Sequence, residues 1–192
     1  AYGHFTQSVG DDNKVYADHS LGFGAHNKVG AQRVTGTPEK DVVVDKNTSK
    51  ASVFGLNNVV LGKEVLALGN NNNVNGENST AIGTQSTADG LNALAIGVGA
   101  KAHVTNPAAA NSNKPGNLVA IGTSAEATAA ETVAIGESAK ALKANANAFG
   151  SKSLAVGESS LAVGSGAQAK EDSAVAIGNY SNATAKSSVA VG

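Results

Sequence analysis

The chain has 192 residues, with 14 Lys and Arg against 15 Asp and Glu, 41% hydrophobic side chains, 4% aromatics and no Cys, Met or Trp. Without Cys there can be no disulfide or thiolate metal site, and a net charge of −1 gives no electrostatic case for nucleic acid or an anionic membrane as partner. With so few large side chains the interior must be thin and built from Ala, Val, Ile and Leu, while the 23 Gly mark frequent turns.

Read in chain order, a phrase of the form apolar-x-apolar-Gly first appears at Leu21–Gly24, preceded in phase by Gly3 and Gly10. The phase then breaks over about residues 31–50, a segment carrying Arg33, Glu39, Lys40, Asp41, Asp45, Lys46 and Lys50. Its Val42-Val43-Val44 centre predicts a hairpin or an extended flap. The phrase resumes at Val53–Gly55 and recurs at Val60–Gly62, Leu66–Gly69, Thr80–Gly83 and Leu94–Gly97. A second break covers about residues 103–117, where Pro107, Ala108–Ala110, Pro115 and Gly116 read as an irregular loop. Seven further phrases, beginning with Val119–Gly122 and Val133–Gly136, carry the pattern to Val189–Gly192. No apolar run approaches the roughly 20 residues of a membrane-spanning helix.

From Gly55 the closing glycines step by 7, 7, 14, 14, 25, 14, 14, 7, 7, 14 and 14 residues. The step of 25 is one period plus 11, and the step from Gly24 to Gly55 is one period plus 17. A heptad could signal a coiled coil, but Gly at this frequency would cost a helix about 1 kcal/mol each. The residues around each Gly alternate with period two, which is the signature of a strand. A 14-residue coil of two short strands and two turns satisfies both periods, whereas a hexapeptide β-helix needs a period of six. The expected architecture is a single all-β parallel solenoid over residues 1–192, about 12 coils and roughly 55 Å long at the usual ~4.8 Å strand spacing.

Numbering each coil from the residue after the glycine, positions three and five are small, as in Ala125 and Ala127 or Ala139 and Ala141. Positions eleven and thirteen are larger, as in Val133 and Ile135 or Val175 and Ile177. Large residues facing small ones would fill a flat two-layer core, so eleven and thirteen are expected inside. Position twelve is Ala81, Ala95, Ala120, Ala134, Ala148, Ala176 and Ala190, and on this reading it points outward. A persistent methyl on an outer face suggests close approach by another copy of the chain, so these alanines are the expected self-association surface.

The phrases Leu94-Ala95-Ile96-Gly97, Val119-Ala120-Ile121-Gly122, Val133-Ala134-Ile135-Gly136 and Val175-Ala176-Ile177-Gly178 resemble the repeat of the YadA-like head domains of trimeric autotransporter adhesins. The resemblance implies a left-handed parallel β-roll of 14-residue coils, a homotrimer, and exposure on the outer-membrane surface of a Gram-negative bacterium. It further implies attachment to host extracellular matrix or a cell-surface receptor, with a structural spacer or self-association module as the alternative. Membrane contact would come only through a C-terminal anchor beyond this sequence, and Ala1 and Gly192 are expected to be the ends of a processed or excised piece. A phrase Asn-Ser-Val-Ala-Ile-Gly accompanies collagen binding in some members; the nearest here is Asn78-Ser79-Thr80-Ala81-Ile82-Gly83, with Thr80 in place of Val.

Loops on a rigid scaffold commonly carry binding residues, so Arg33, Glu39, Lys40, Asp41, His103, Asn111 and Lys114 are the candidate ligand contacts. Catalytic, cofactor and metal sites are not expected. The stretches Gly97–Ala102 and Gly164–Ala169 imitate a dinucleotide fingerprint but keep phase with the repeat and precede no helical pattern. His4, His19, His26 and His103 lack metal-ligand spacing. The Asn70–Asn73 run reads as a coil corner or a stacked Asn ladder.

Overall fold

A computed structural model describes residues 2–33, 42–44, 48–104 and 116–192. Two parallel sheets face each other: 12 strands carry the glycine phrases, and 11 shorter strands lie opposite. The chain alternates between them, so each coil contributes one strand to each sheet and pairs with the coil a period away. Thus Ala81 lies beside Ala95, and Ala134 beside Ala148. The register survives both breaks, because Phe23 pairs with Phe54 and Ala95 with Ala120.

Both insertions leave the roll at the same edge. The first follows the short strand Lys28–Val29 and precedes Ser52–Leu56; the second follows Lys101–His103 and precedes Val119–Ile121. Each therefore interrupts the crossing from the short-strand sheet to the phrase-bearing sheet, four strands apart, or about 19 Å. The first contains the expected hairpin, with Ala31–Arg33 antiparallel to Val42–Val44. Ser49 and Lys50 are already back in the coil, since Ser49 bridges to both Asp18 and Lys63. His103 likewise belongs to a regular strand, paired with Asp89.

The seven-residue half-period has a backbone cause. Residues at positions two and nine adopt left-handed φ of about +45° to +60°, including Asn57, Asn71, Gln85 and Ser124 at two, and Glu64, Asn78, Asn92 and Glu131 at nine. Each coil thus turns twice by the same device, and the abundance of Asn and Ser supplies residues that tolerate it. The closing glycine is needed for a second reason. Gly55 has φ +125°, and a Cβ there would strike the carbonyl of Gly69 in the next coil.

The interior differs from expectation. Positions three and five are buried as predicted, but they are joined by ten and twelve rather than by eleven and thirteen. Ala81, Ala95, Ala120, Ala134, Ala148 and Ala176 are fully buried inside their own chain, and Ala190 in the last coil is partly buried against the same core. These alanines consequently cannot be the self-association surface. The sheets lie so close that methyl-sized groups nearly fill the gap, which forces the branched residues of eleven and thirteen outward. Where one side is larger, the other shrinks: Val15 faces Gly22, and a Cβ on Gly22 would run into the Val15 side chain.

Buried polar groups at one corner are satisfied by a ladder. Asn13, Asn27, Asn58 and Asn72 stack at position three, and each Oδ1 accepts the backbone N–H of the next coil's position-three residue at 3.0–3.1 Å. Their Nδ2 groups donate to the carbonyls of Gly24, Gly55, Gly69 and Gly83 at 2.7–3.0 Å. Among the described residues no buried side-chain nitrogen or oxygen lacks a partner.

Candidate functional site

The roll presents two outer faces of opposite character. The phrase-bearing sheet points Leu94, Ile96, Val119, Ile121, Val133 and Ile135 outward, each half-buried. The same columns hold Phe23, stacked on Phe54 with ring centroids 5.7 Å apart, and Leu68, Phe149 and Ile177 at 36–44% exposure. The stripe is two side chains wide in most coils, narrowing to one where Gln7, Ser52, Thr80 and Asn147 occupy its first column, and runs the rod's length, about 50 Å. All-parallel sheets are normally covered on both faces, and a continuous apolar patch on a soluble surface marks an interaction site.

The outer face of the short-strand sheet is polar at most positions: Lys14, Lys28, Asn73, Thr87, Lys101, Glu126, Lys140, Gln168 and Asn182. Its charges are partly paired between coils, as in Lys140 with Glu126 at 3.2 Å. At the neighbouring corner Lys50 pairs with Glu64 at 2.8 Å and Lys63 with Glu77 at 3.7 Å. The bond from Lys50 and its charge hold the Glu64 carboxyl below the usual carboxylate range, and the same bond lifts Lys50 above the ordinary lysine value.

Of the loop residues expected to contact ligand, Arg33 lies in the hairpin strand and His103 is a half-buried strand residue at the edge where the second insertion begins. Glu39, Lys40, Asp41, Asn111 and Lys114 lie outside the described residues. The histidines are dispersed: His19 stacks on Phe5 and His26 approaches Asp12 at 3.4 Å. Among the described residues no three His, Asp or Glu side chains gather as a metal site would require. Reasoning from sequence missed the apolar outer columns as a surface, although every residue in them had been singled out as part of the repeat.

A family model described as the YadA head domain repeat matches residues 62–86, 75–100, 88–106, 119–139, 155–181 and 169–192, together more than half of the chain. No curated protein matches it. The coils before residue 62 continue the same sheets and register without being matched.

Proposed function

Because the chain belongs to the YadA head domain family, a surface-adhesion module of trimeric autotransporters, we propose that three copies pack around a common axis to form an adhesin head that attaches to host matrix or a host-cell receptor. The observation that carries this reading is the phrase-bearing sheet, most of whose 12 strands hold a small side chain inside and branched or aromatic ones outside, with Gln7, Ser52 and Asn147 as polar exceptions in the outer columns. Two half-exposed Leu, Ile or Val per coil have on the order of 2 kcal/mol per coil still to gain on burial. Over the eight or so coils with both positions apolar that reaches or exceeds an association cost of roughly 4–15 kcal/mol. The polar sheet then faces outward, in three copies, where multivalency raises weak contacts to useful avidity.

Light scattering on the purified chain, with Ile96→Asp and Ile135→Asp as variants, tests the assembly: trimer for the wild type and monomer for the double variant. A wild-type chain that stays monomeric at micromolar concentration refutes it. Solid-phase binding to collagen, fibronectin, laminin and epithelial cells tests adhesion. No binding to any of them, with clumping of cells displaying the chain, would favour the spacer reading.

A further inference from the structure

The polar sheet is not uniform along the rod. At its N-terminal end it is hollowed into two adjoining concavities of about 290 and 460 Å³. Asp12, Lys14 and His26 line the first, Asn71, Asn73 and Asn75 the second, and Lys28, Asn57 and Val59 line both, so the two form one groove. It crosses four coils, about 14 Å along the rod axis. Most of it lies in the coils before residue 62, which the family repeat does not match. The hairpin strand Ala31–Arg33 approaches Val59–Val60 and borders it.

Polar groups around the groove are otherwise committed within the fold. Asn27, Asn58 and Asn72 serve the internal ladder, and Lys50 and Lys63 pair with Glu64 and Glu77. By contrast, Lys28, Asn57, Asn71 and Asn73 make no side-chain hydrogen bond or ion pair among the described residues. Lys28 also sits in register beside Lys14, so two ammonium groups share the groove with the single carboxylate of Asp12. Asn57 and Asn71 stand on left-handed corners with φ +55° and +57°, so the backbone that presents their amides is rigid and little ordering entropy remains to be lost on binding.

We propose that this groove binds an acidic oligosaccharide. Each amide offers a donor pair and an acceptor, the combination that vicinal sugar hydroxyls require. The ammonium of Lys28 meets a carboxylate or sulfate, and the Val59 and Leu61 side chains offer an apolar floor for the C–H face of a pyranose. Among the described residues no Phe, Tyr or Trp lines the groove, and the His26 imidazole is its one ring, a poor platform for successive bases, which disfavours single-stranded nucleic acid. Of the strands beneath, Lys28–Val29, Val59–Val60 and Asn73–Val74 are paired on both sides and only the terminal Lys14–Val15 has an outer edge, which leaves an extended peptide little backbone to pair with. The inference names a ligand class for the adhesin reading and rests on it only for its biological role.

The test is calorimetric titration of the full chain with 3′-sialyllactose (carboxylate), a sulfated heparin tetrasaccharide, lactose and a poly-glutamate peptide. One acidic sugar is expected to bind at least tenfold more tightly than lactose, and which one does identifies the anion. Lys28→Ala should weaken it at least tenfold and Asn57→Gly/Asn71→Gly severalfold, with little change in melting because Gly keeps the left-handed corners and these side chains support nothing internal; Lys186→Ala, in the last coil, should leave it unaltered. Binding that survives Lys28→Ala, equal binding of lactose, no binding of either acidic sugar, or stronger binding of the peptide overturns the proposal. Attachment of wild-type chain to cells without glycan binding would sink the groove alone. Glycan binding without any cell attachment would sink the adhesin reading and leave the groove standing.

Discussion

Replacing Asn58 with Ala separates a ladder amide from an idle one. Asn58 Oδ1 accepts the N–H of Asn72 at 3.0 Å, and its Nδ2 donates to Gly69 O at 2.8 Å and to Asn27 Oδ1 at 2.9 Å. The Ala variant orphans the buried Asn72 N–H and the part-buried Gly69 carbonyl, while Asn27 Oδ1 keeps the N–H of residue 58. At about 1–3 kcal/mol per buried orphan, discounted for the partly wet carbonyl, the loss is about 3 kcal/mol. Asn58→Ser should cost less, because a serine can reach the same two kinds of partner: Ser79 Oγ accepts the N–H of Ala93 in the next coil at 3.1 Å and donates to the Gly90 carbonyl at 2.6 Å. The control is Asn73→Ala, an exposed asparagine that should change stability by no more than about 0.5 kcal/mol. Urea unfolding followed by far-ultraviolet circular dichroism, at one fixed chain concentration, reads all three against wild type. If Asn58→Ala falls within about 1 kcal/mol of Asn73→Ala, the ladder is not what holds these coils, and the accounting from buried polar groups is wrong.

Ala134→Leu should destabilise the isolated chain by about 1–3 kcal/mol or more through overpacking, whereas Ile135→Ala should barely alter its fold but weaken association; melting and light scattering would show the reverse if the two faces were exchanged. Gly55→Ala combines a left-handed φ with a collision against the next coil and should cost on the order of 3 kcal/mol, while Gly99→Asn, at φ +65° where a Cβ would meet only Ser124 Oγ at an ordinary 3.8 Å, should cost under about 1 kcal/mol by the same urea assay. The Lys50–Glu64 pair should add a small, salt-sensitive stability. Glu64's share is complete above its unfolded-state pKa and disappears as pH falls through the lowered folded value; Lys50's is complete below its own and disappears as pH rises through the raised one. The stability difference between wild type and Glu64→Gln should therefore be present near neutrality and fade in acid; a difference that persists in acid or at high salt would contradict the assignment.

Much of the architecture was legible without coordinates. Glycine spacing with the period-two alternation around each glycine yields coils of 14 residues, because period and phase are properties of order along the chain, and of the hairpin or extended flap that Val42–Val44 suggested, the hairpin is found. The Asn70–Asn73 run proved to be both things it suggested, with Asn71 at a corner and Asn72 in the ladder. The groove was not legible, since Lys28, Asn57 and Asn73 are scattered along the sequence and meet only when three coils stack.

Alternation tells which residues share a face of a strand and is silent on which face looks inward. Val133 and Ile135 against Ala134 is the same pattern either way, and the ordinary preference for burying the larger group selects the wrong side here. The separation of the two sheets decides it, and that distance is set jointly by the opposing strand, the two left-handed corners and the glycine contact between coils. The sequence by itself determined the repeat, its strands and its interruptions. Only the tertiary structure decided that the methyls close the core and the branched chains remain outside, because that choice depends on a gap between sheets no single strand encodes.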